Sequence, residues 1–250
     1  MRYFIRLSFD GSAYHGWQIQ PNAVTVQQRL DESLSTILRQ EISTVGAGRT
    51  DAGVNAHCMV AHFDCQQPEG ALLDLKDLRF KLNRLLPQDI SVQRIIPVSP
   101  DAHARFDARS RTYRYWIYRE KSPFLRHYAT RLNFPVDFDR MNEAAAILLE
   151  TRDFTSFSKL HTDAKTNICK VTKAEWTCID GDCWQFEITA DRFLRNMVRS
   201  VVGTLVDVGR GRLSIDEFRR VISLKDRCAA GESMPAKALS LWDICYDFDV

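Results

Sequence analysis

Residues 2–9 read Arg-Tyr-Phe-Ile-Arg-Leu-Ser-Phe and carry apolar side chains at every second position: Tyr3, Ile5, Leu7 and Phe9. A period of two predicts a β-strand with one buried face. The stretch 111–119, Arg-Thr-Tyr-Arg-Tyr-Trp-Ile-Tyr-Arg, is similarly rich in aromatic and polar residues and predicts a second strand. Each strand opens one half of the chain, and the elements that follow it decide the fold.

The elements after residues 2–9 alternate between helices and strands. Thr25 and Gln28 have the spacing of a capping box, and the apolar residues after them share one helical face: Val26, Leu30, Leu34, Ile37 and Leu38. The remaining predictions are a strand at Ile42–Val45, a strand at His57–Asp64, a break at Pro68 and Gly70, a helix from Leu75 to Leu86, and a strand at Ile90–Val98. This order, β-α-β-β-α-β, is typical of a ferredoxin-like unit.

The second half repeats the order. The predicted elements after residues 111–119 are a helix at Asp139–Leu149, a hairpin of Val171–Ile179 and Trp184–Ala190, a helix at Phe193–Val208, a helix at Ser214–Ile222 with a capping box at Ser214 and Glu217, and a strand at Leu241–Phe248. We therefore predict an α+β protein of two tandem ferredoxin-like domains, 1–104 and 105–250. Joined pseudo-twofold, they would form a mixed, mainly antiparallel sheet with a central cleft.

Composition excludes several classes of protein. The 250 residues are 45% hydrophobic and 26% charged, which is ordinary for a folded domain and excludes general disorder. No apolar run approaches the roughly 18 residues of a membrane span, and Arg2 and Arg6 interrupt the apolar start, so we expect a cytoplasmic protein. The seven cysteines lack CxxC spacing, which predicts free, mainly buried thiols.

The charge of the chain is nearly balanced but unevenly distributed. The 34 basic and 32 acidic residues leave a net charge of +2. Residues 105–131 contain eight Lys or Arg and two Asp or Glu, and residues 192–212 contain five Arg and one Asp. Two basic segments in a near-neutral protein indicate a surface for a polyanion, and an ordinary solvated face is the alternative.

The strongest candidate for chemistry is the octapeptide 46–53, Gly-Ala-Gly-Arg-Thr-Asp-Ala-Gly. Its three glycines permit sharp bends and a close approach to a ligand. In an extended backbone Arg49 and Asp51 would point to the same side, where a guanidinium favours the ionised form of a carboxylate. An ionised carboxylate suits a nucleophile or an electrostatic stabiliser. The alternative is a turn with a solvent-facing ion pair.

Two further candidates are an aromatic strand and a basic helix. On the strand 111–119, Tyr113 and Arg114 would point to opposite faces, and the tyrosine ring could stack on a base or simply pack. On the predicted helix, Arg192, Arg195 and Arg199 would line one stripe suited to phosphates, or a solvated basic face. The scattered histidines show no metal-binding spacing, so we expect no metal.

Beyond these arguments, the chain resembles the TruA family of tRNA pseudouridine synthases over nearly its whole length. The stretches that carry the resemblance are FDGSAYHGWQIQP (9–21), GAGRTDAGV (46–54), HARFDARSRTYRYWIY (103–118), DFTSF (153–157), FLRNMVRSVVGTLVDVGRG (193–211) and AKALSLWDICY (236–246). The resemblance implies isomerisation of uridine to pseudouridine at positions 38, 39 and 40 of the tRNA anticodon stem-loop. It also implies a homodimer that needs no cofactor.

The resemblance also assigns roles to residues. Asp51 matches the family's catalytic aspartate, and Arg49 matches the arginine that pairs with it. Tyr113 matches the tyrosine that stacks on the target base and is a candidate for taking the C5 proton. Leu239 matches an apolar residue near the base, and Arg199 matches an arginine near the active site.

The basic segments, including Arg111, Arg114 and Arg192, would hold the RNA backbone along the central cleft. The chain departs from the family at Ala238, where Gly is usual, at Ser240, where an aromatic is usual, and at Asn55, where His is common. Two other readings stay open at this stage. One is a non-catalytic RNA-binding module, and the other is a hydrolase of nucleosides or sugar phosphates on the same scaffold.

Overall fold

A computed structural model describes residues 1–66, 73–159 and 166–250. The predicted break at Pro68 and Gly70 lies outside these residues. The chain divides into two compact units: Met1–Arg109 together with Leu241–Val250, and Ser110–Ser240. The last ten residues thus group with the first unit, whereas the sequence-based division into 1–104 and 105–250, which stays a prediction about domains, assigns them to the second.

The first unit is a sheet with two helices. Its elements are β1 (Arg2–Phe9), α1 (Val26–Leu38), β2 (Val45–Gly46), β3 (Asn55–Asp64), α2 (Leu75–Leu85) and β4 (Ile90–Val98). The central strand β1 pairs antiparallel with β3 on one side and β4 on the other, and β2 pairs antiparallel with β3. The predicted bounds of β1 and β4 are confirmed.

The core of the first unit lies between this sheet and its helices. The core side chains from these elements are fully buried: Ile5, Leu7, Leu30, Leu34 and Leu82. The predicted capping box of α1 is only half present. Thr25 accepts a hydrogen bond from Gln28 N at 3.3 Å, but the Gln28 side chain donates to Glu32 instead of returning to the cap.

The predicted strand Ile42–Val45 begins too early, because side chains of α1 take the backbone hydrogen bonds of its first residues. Ile42 N donates to Ser35 Oγ at 2.9 Å, and Thr44 N donates to Asp31 Oδ1 at 3.1 Å. The Thr44 hydroxyl also donates to Asp31 Oδ1, at 2.7 Å. Residues 42–44 are therefore fixed to a helix, and the strand β2 begins only at Val45.

The second unit contains the remaining strands and helices. Its elements are β5 (Ser110–Tyr118), β6 (Thr130–Arg131), α3 (Phe138–Glu150), β7 (Val171–Asp180), β8 (Cys183–Ala190), α4 (Met197–Gly209) and α5 (Ile215–Leu224); β9 (Leu239–Cys245) starts here and ends in the first unit. The antiparallel strands run in the order β5-β8-β7. The predicted hairpin is confirmed, and Gly181 adopts φ +47° in its turn.

Two predicted ends in this half differ from the structure by more than two residues. The helix predicted from Phe193 begins only at Met197, because Asn196 takes a left-handed conformation at φ +65° that no helix continues through. The last strand ends at Cys245 instead of Phe248, and beyond it Asp247 pairs with Arg109. The capping box of α5 is complete, as predicted: Ser214 and Glu217 hydrogen-bond each other's backbone.

The late start of α4 removes the predicted stripe of three arginines on one helix. Arg192 and Arg195 lie in the loop before α4, and only Arg199 lies on it. A second correction concerns the cysteines. All seven are free thiols, but Cys178, Cys228 and Cys245 are exposed rather than buried.

Two features are absent from the described residues. Among those residues, no helix is both long and apolar enough to cross a membrane. In the same part of the chain, His, Cys, Asp and Glu form no group of three or more placed to hold a metal ion.

The link between Asp31 and Thr44 predicts a pH effect on stability. Burial raises the pKa of Asp31 to about 6, against the two hydrogen bonds from Thr44 that favour its ionised form. A carboxyl whose pKa is raised on folding stabilises the folded state at low pH and loses that contribution as pH rises. The free energy of unfolding should therefore fall between about pH 4 and pH 6, on the order of 1 kcal/mol more than in Asp31→Asn.

Urea unfolding across this pH range measures the difference. Glu41→Gln is the control, because Glu41 is an exposed carboxyl in the loop after α1, and it should follow the wild-type curve. Parallel curves for wild type and Asp31→Asn would contradict the prediction.

Candidate active site

The loop that carries Arg49 and Asp51 is anchored at its entrance by α1. Thr44, the residue before β2, is buried, and besides the two hydrogen bonds that it donates to Asp31 its carbonyl oxygen accepts one from the Gln27 side chain at 2.6 Å. Just after β2, Ala47 N donates to Val60 O of β3 at 2.8 Å. The chain therefore enters the loop in a defined direction.

The loop packs backbone to backbone on the segment 10–17. A Cβ atom on Gly16 would lie 2.3 Å from Thr50 O, and one on Gly11 would lie 2.0 Å from Val54 O. Both distances are far below van der Waals contact, and Gly16 in addition has φ +88°. Only glycine fits at these two positions, so the two loops approach more closely than any side chain would permit.

Hydrogen bonds hold the exit of the loop to the same segment. Gly53 N donates to Tyr14 O at 3.2 Å, and Asn55 Oδ1 accepts from Gly11 N at 2.8 Å. Asn55 is one of the departures from the family pattern, and its amide oxygen is a good acceptor for a backbone N–H. Asn55 therefore links the two loops through this hydrogen bond, although His is common at this position in the family.

The tyrosine of this contact is itself fixed. The Tyr14 hydroxyl donates to Asp89 Oδ1 at 2.6 Å. Burial, followed by that hydrogen bond, raises the pKa of Tyr14 well above its usual range. The phenol therefore stays protonated and keeps donating, which holds the carbonyl that receives Gly53 N.

Asp51 lies at the start of a tight turn in this loop. Its carbonyl accepts from Val54 N at 3.1 Å, and Gly53 completes the turn at φ +76°. Asp51 is half-buried and Arg49 is exposed. Gly48 differs from Gly11 and Gly16, because a Cβ there would meet no atom within 4 Å. The expected close approach of a ligand to the glycines of this loop stays a prediction.

In the second unit, Tyr113 lies on β5 opposite Ile188 of β8, on the face that carries the buried side chains. Its ring meets the Phe193 ring edge to face, with centroids 5.0 Å apart and an angle of 84°. Tyr113 is half-buried, so part of the residue stays accessible. Phe193 was predicted as a helical core residue, and the structure places it instead beside Tyr113 in the loop before α4.

Arg111 and Arg192 meet at one residue of that loop. Arg111 Nη1 donates to Asp191 O at 2.9 Å, and Arg192 N donates to the Asp191 carboxylate at 2.7 Å. Asp191 also accepts from Lys170 N at 2.8 Å. The start of β5 and the start of the basic loop are therefore held together within this unit.

Arg114 points to the opposite face of β5 and is engaged in an ion pair. Its Nε lies 2.6 Å from Glu187 Oε2, and Lys173 Nζ lies 2.8 Å from the other carboxylate oxygen. Burial opposes ionisation of Glu187, but hydrogen bonds from Lys173 and Arg114 outweigh it and hold the pKa of Glu187 below its usual range. Arg114 is thus separated by the strand from Tyr113.

Arg199 and Leu239 belong to a second anchored region of the same unit. Arg199 Nε donates to Met234 O at 2.6 Å, and Met234 N donates back to Arg199 O at 3.1 Å. The Tyr115 hydroxyl donates to Pro235 O at 3.1 Å. These bonds fix the segment that leads into Leu239, which is 5% exposed.

Sequence reasoning missed several of the residues that position these groups. Gly11, Gly16 and Asp31 hold the loop of Asp51, and Met234 holds Arg199. Glycines in an aromatic segment are a signal for close backbone approach. Asp31 and Thr44 are thirteen residues apart, and this spacing does not predict their contact.

Comparison with known proteins decides the family. The family model described as tRNA pseudouridine synthase matches residues 7–107 and 144–247. The chain belongs to the tRNA pseudouridine synthase family. The resemblance inferred from the six motifs is therefore confirmed. The first matched range contains Arg49 and Asp51, and the second contains Arg192, Arg199 and Leu239.

Individual relatives agree along the whole chain. The tRNA pseudouridine synthase A of Bacteroides fragilis is 57% identical over 249 residues, covering 100% of this chain and 98% of the relative. The enzyme of the same name from Bacillus subtilis is 39% identical over 251 residues, covering 99% and 100%. Among solved structures, a chain of the archaeal box H/ACA sRNP Nop10-Cbf5 complex matches 82% of this chain and 43% of its own length, at 12% identity and a TM-score of 0.35, which supports no argument.

The contact between the two loops predicts different effects of a Gly→Ala substitution on stability at two positions. Gly16→Ala should lower the free energy of unfolding by about 2 kcal/mol or more, because its Cβ collides with a backbone carbonyl and its φ is unfavourable. Gly48→Ala should change it by less than about 0.5 kcal/mol, because its Cβ meets open space. Urea unfolding of both variants measures the difference, and equal losses would contradict the account of this loop.

Proposed function

We propose that this protein isomerises uridine to pseudouridine in tRNA, at positions 38, 39 and 40 of the anticodon stem-loop. The observation that carries the proposal is the half-buried carboxylate of Asp51 on a loop that glycine contacts hold in place. Membership of the tRNA pseudouridine synthase family supports the reaction type, and the names of the relatives support tRNA as the substrate.

The reaction needs a fixed carboxylate more than it needs any added group. The N1–C1′ glycosidic bond breaks, the uracil turns, C5 bonds to C1′, the C5 proton leaves and N1 gains a proton. Atoms and electrons balance without an oxidant or a group donor. Breaking a glycosidic bond develops positive charge on the sugar, which a carboxylate stabilises or traps covalently. In our proposal Asp51 is this carboxylate, whether it acts at C1′, at the base or on the C2′ proton.

The other site residues take supporting roles in the proposal. Arg49 is the cation that pairs with the Asp51 carboxylate in this proposal. Tyr113 stacks on the target base and is the candidate for removing the C5 proton. The edge-to-face contact with Phe193 supports this role, because it orients the ring. Leu239 supplies an apolar wall near the base, and Arg199 holds the segment that leads into it through its bonds to Met234.

The basic residues of the second unit hold the RNA backbone. Arg111 and Arg192, which meet at Asp191, are placed to act on neighbouring phosphates. A base that pairs in the stem must leave its stack at a cost of a few kcal/mol, and phosphate contacts offset this cost. Arg114 contributes less in this account, because its guanidinium is already paired with Glu187.

We also propose the finer architecture that the sequence predicts. The order β-α-β-β-α-β in residues 2–98, with β4-β1-β3 paired and β2 on β3, supports a ferredoxin-like first half. Its repetition as β5, α3, β7, β8, α4 and β9 supports a second. The pseudo-twofold sheet with an RNA-binding cleft, the homodimer and the cytoplasmic location remain parts of this proposal that rest on the sequence.

Tritium release from tRNA labelled at C5 of uridine tests the reaction and its carboxylate together. Wild type should release tritium, and Asp51→Asn should release none while binding tRNA within about tenfold of wild type, or about 1.4 kcal/mol. Asp101→Asn, the same change at an exposed carboxylate of the same unit, is the control and should match wild type.

Each other outcome contradicts a specific part of the proposal. Turnover by pure Asp51→Asn would remove Asp51 from the mechanism. Binding of tRNA without release by wild type would favour a non-catalytic RNA-binding module. Activity on free uridine nucleotides would favour an enzyme of small molecules.

The phosphate contacts predict a steep dependence of affinity on salt. The tRNA affinity should fall at least tenfold between about 50 and 200 mM salt, because each neutralised phosphate releases counterions. Arg192→Gln should reduce the slope of log affinity against log salt by about one, and Arg114→Gln should reduce it less. Fluorescence anisotropy with labelled tRNA measures these slopes, and a flat response of wild type would refute the contacts.

A further inference from the structure

The segment 119–129 between β5 and β6 has no role in the chemistry proposed above. Both of its ends are tied together. β6 pairs in parallel with the end of β5, so that Ile117 lies opposite Thr130. Arg131 Nε donates to Arg119 O at 3.0 Å, and Leu132 N donates to Tyr118 O at 2.9 Å. The segment is therefore a closed excursion from the sheet, which we call the 119–129 excursion.

The tip of the 119–129 excursion is also ordered by its own hydrogen bonds. Residues Leu125–His127 form a 3₁₀ turn. Leu125 N donates to Ser122 Oγ at 3.3 Å, and Ala129 N donates to Leu125 O at 2.9 Å. From outside the excursion, Lys237 Nζ donates to Arg126 O at 2.6 Å. A surface fixed in this way loses little entropy when it binds a partner.

Two aromatic rings project from this ordered tip. Phe124 is 80% exposed, the highest value for a large apolar side chain among the described residues, and Tyr128 is 48% exposed. An exposed ring on a fixed backbone forgoes the stabilisation of burial. Two such rings within five residues, on a segment that neither loops freely nor packs inward, indicate a surface made for contact.

The charged groups around these rings are mainly basic. The cations of the excursion and its edges are all exposed: Arg119, Lys121, Arg126, Arg131 and Lys237. The acidic groups are Glu120 and Asp182, and Asp182 lies 3.9 Å from Arg119 and accepts from Glu120 N at 2.8 Å. His127 accepts from Arg126 Nε at 2.9 Å. Five cations against two carboxylates leave a local charge of +3, which favours a polyanion over an apolar protein surface.

We propose that the 119–129 excursion is a second RNA contact, at which Phe124 and Tyr128 stack on unpaired nucleotides of the tRNA. Aromatic rings interleaved with cations are the recognition surface that single-stranded nucleic acid needs, because bases stack on the rings while phosphates meet the cations. Base-paired stems offer no free base faces, so the partner is an unpaired part of the substrate. This inference rests on the proposed function, since it takes tRNA as the substrate.

The double variant Phe124→Ala/Tyr128→Ala tests the inference in steady-state assays of pseudouridine formation. We expect KM for tRNA to rise about tenfold with kcat within about twofold, because a contact remote from the reacting bond binds ground state and transition state alike. Phe124→Trp in an otherwise wild-type chain should keep the wild-type KM, because it keeps a stacking face. Phe80→Ala, which removes a 61% exposed ring beside Arg84 in the first unit, is the matched control and should leave KM unchanged.

The outcomes separate this inference from the proposed function. An inactive wild type would refute the proposed function. If wild type were active and the double variant had an unchanged KM, only the proposed RNA contact of the 119–129 excursion would be refuted. Equal rises in KM for the double variant and Phe80→Ala would also refute it, because the effect would not be specific. If the double variant differed from wild type in its sedimentation coefficient but not in its KM, the surface would instead be assigned to binding of a second protein chain.

Discussion

The contact between the backbones of residues 10–17 and 46–54 is the constraint on which the candidate site depends. At Gly11 and Gly16 the two segments approach so closely that a single methyl group would lie 2.0 to 2.3 Å from a carbonyl oxygen. Such a contact cannot relax by moving a side chain, since both partners are backbone. The position of Asp51 is therefore set by the close steric contact of the two backbones. Hydrogen bonds of Thr44 and Asn55 fix the two ends of the loop that carries Asp51.

This way of building a site suits the chemistry that we propose. A carboxylate that must stabilise a sugar cation gains from being held in place before the substrate arrives, because little reorganisation is then needed during the reaction. The second unit uses the same principle with different groups. Asp191 holds Arg111 and the loop of Arg192, and the Phe193 ring orients Tyr113. In both units, the proposed catalytic and binding residues are held in place by other residues that take no part in the chemistry.

The sequence predicted those elements whose signals are local. The alternation in residues 2–9, the Ser214–Glu217 capping box and the hairpin turn at Gly181 each depend on neighbours within a few residues, and each is confirmed. Predictions failed where a distant partner decides the local structure. Residues 42–44 bond to α1 rather than to a strand, and Asn196, whose side chain bonds to Ser233, stops the helix predicted from Phe193. The octapeptide 46–53 was found from its composition, but the glycines that hold it lie some thirty residues earlier.

Mapping of pseudouridine in a defined tRNA tests the central claim most directly. An unmodified transcript with uridines at 38, 39 and 40 is incubated with the purified protein, treated with a carbodiimide that marks pseudouridine, and read by primer extension. The account predicts stops at these three positions and at no other uridine. Pseudouridine elsewhere in the transcript, or none at all in a tRNA that the protein binds, would contradict it.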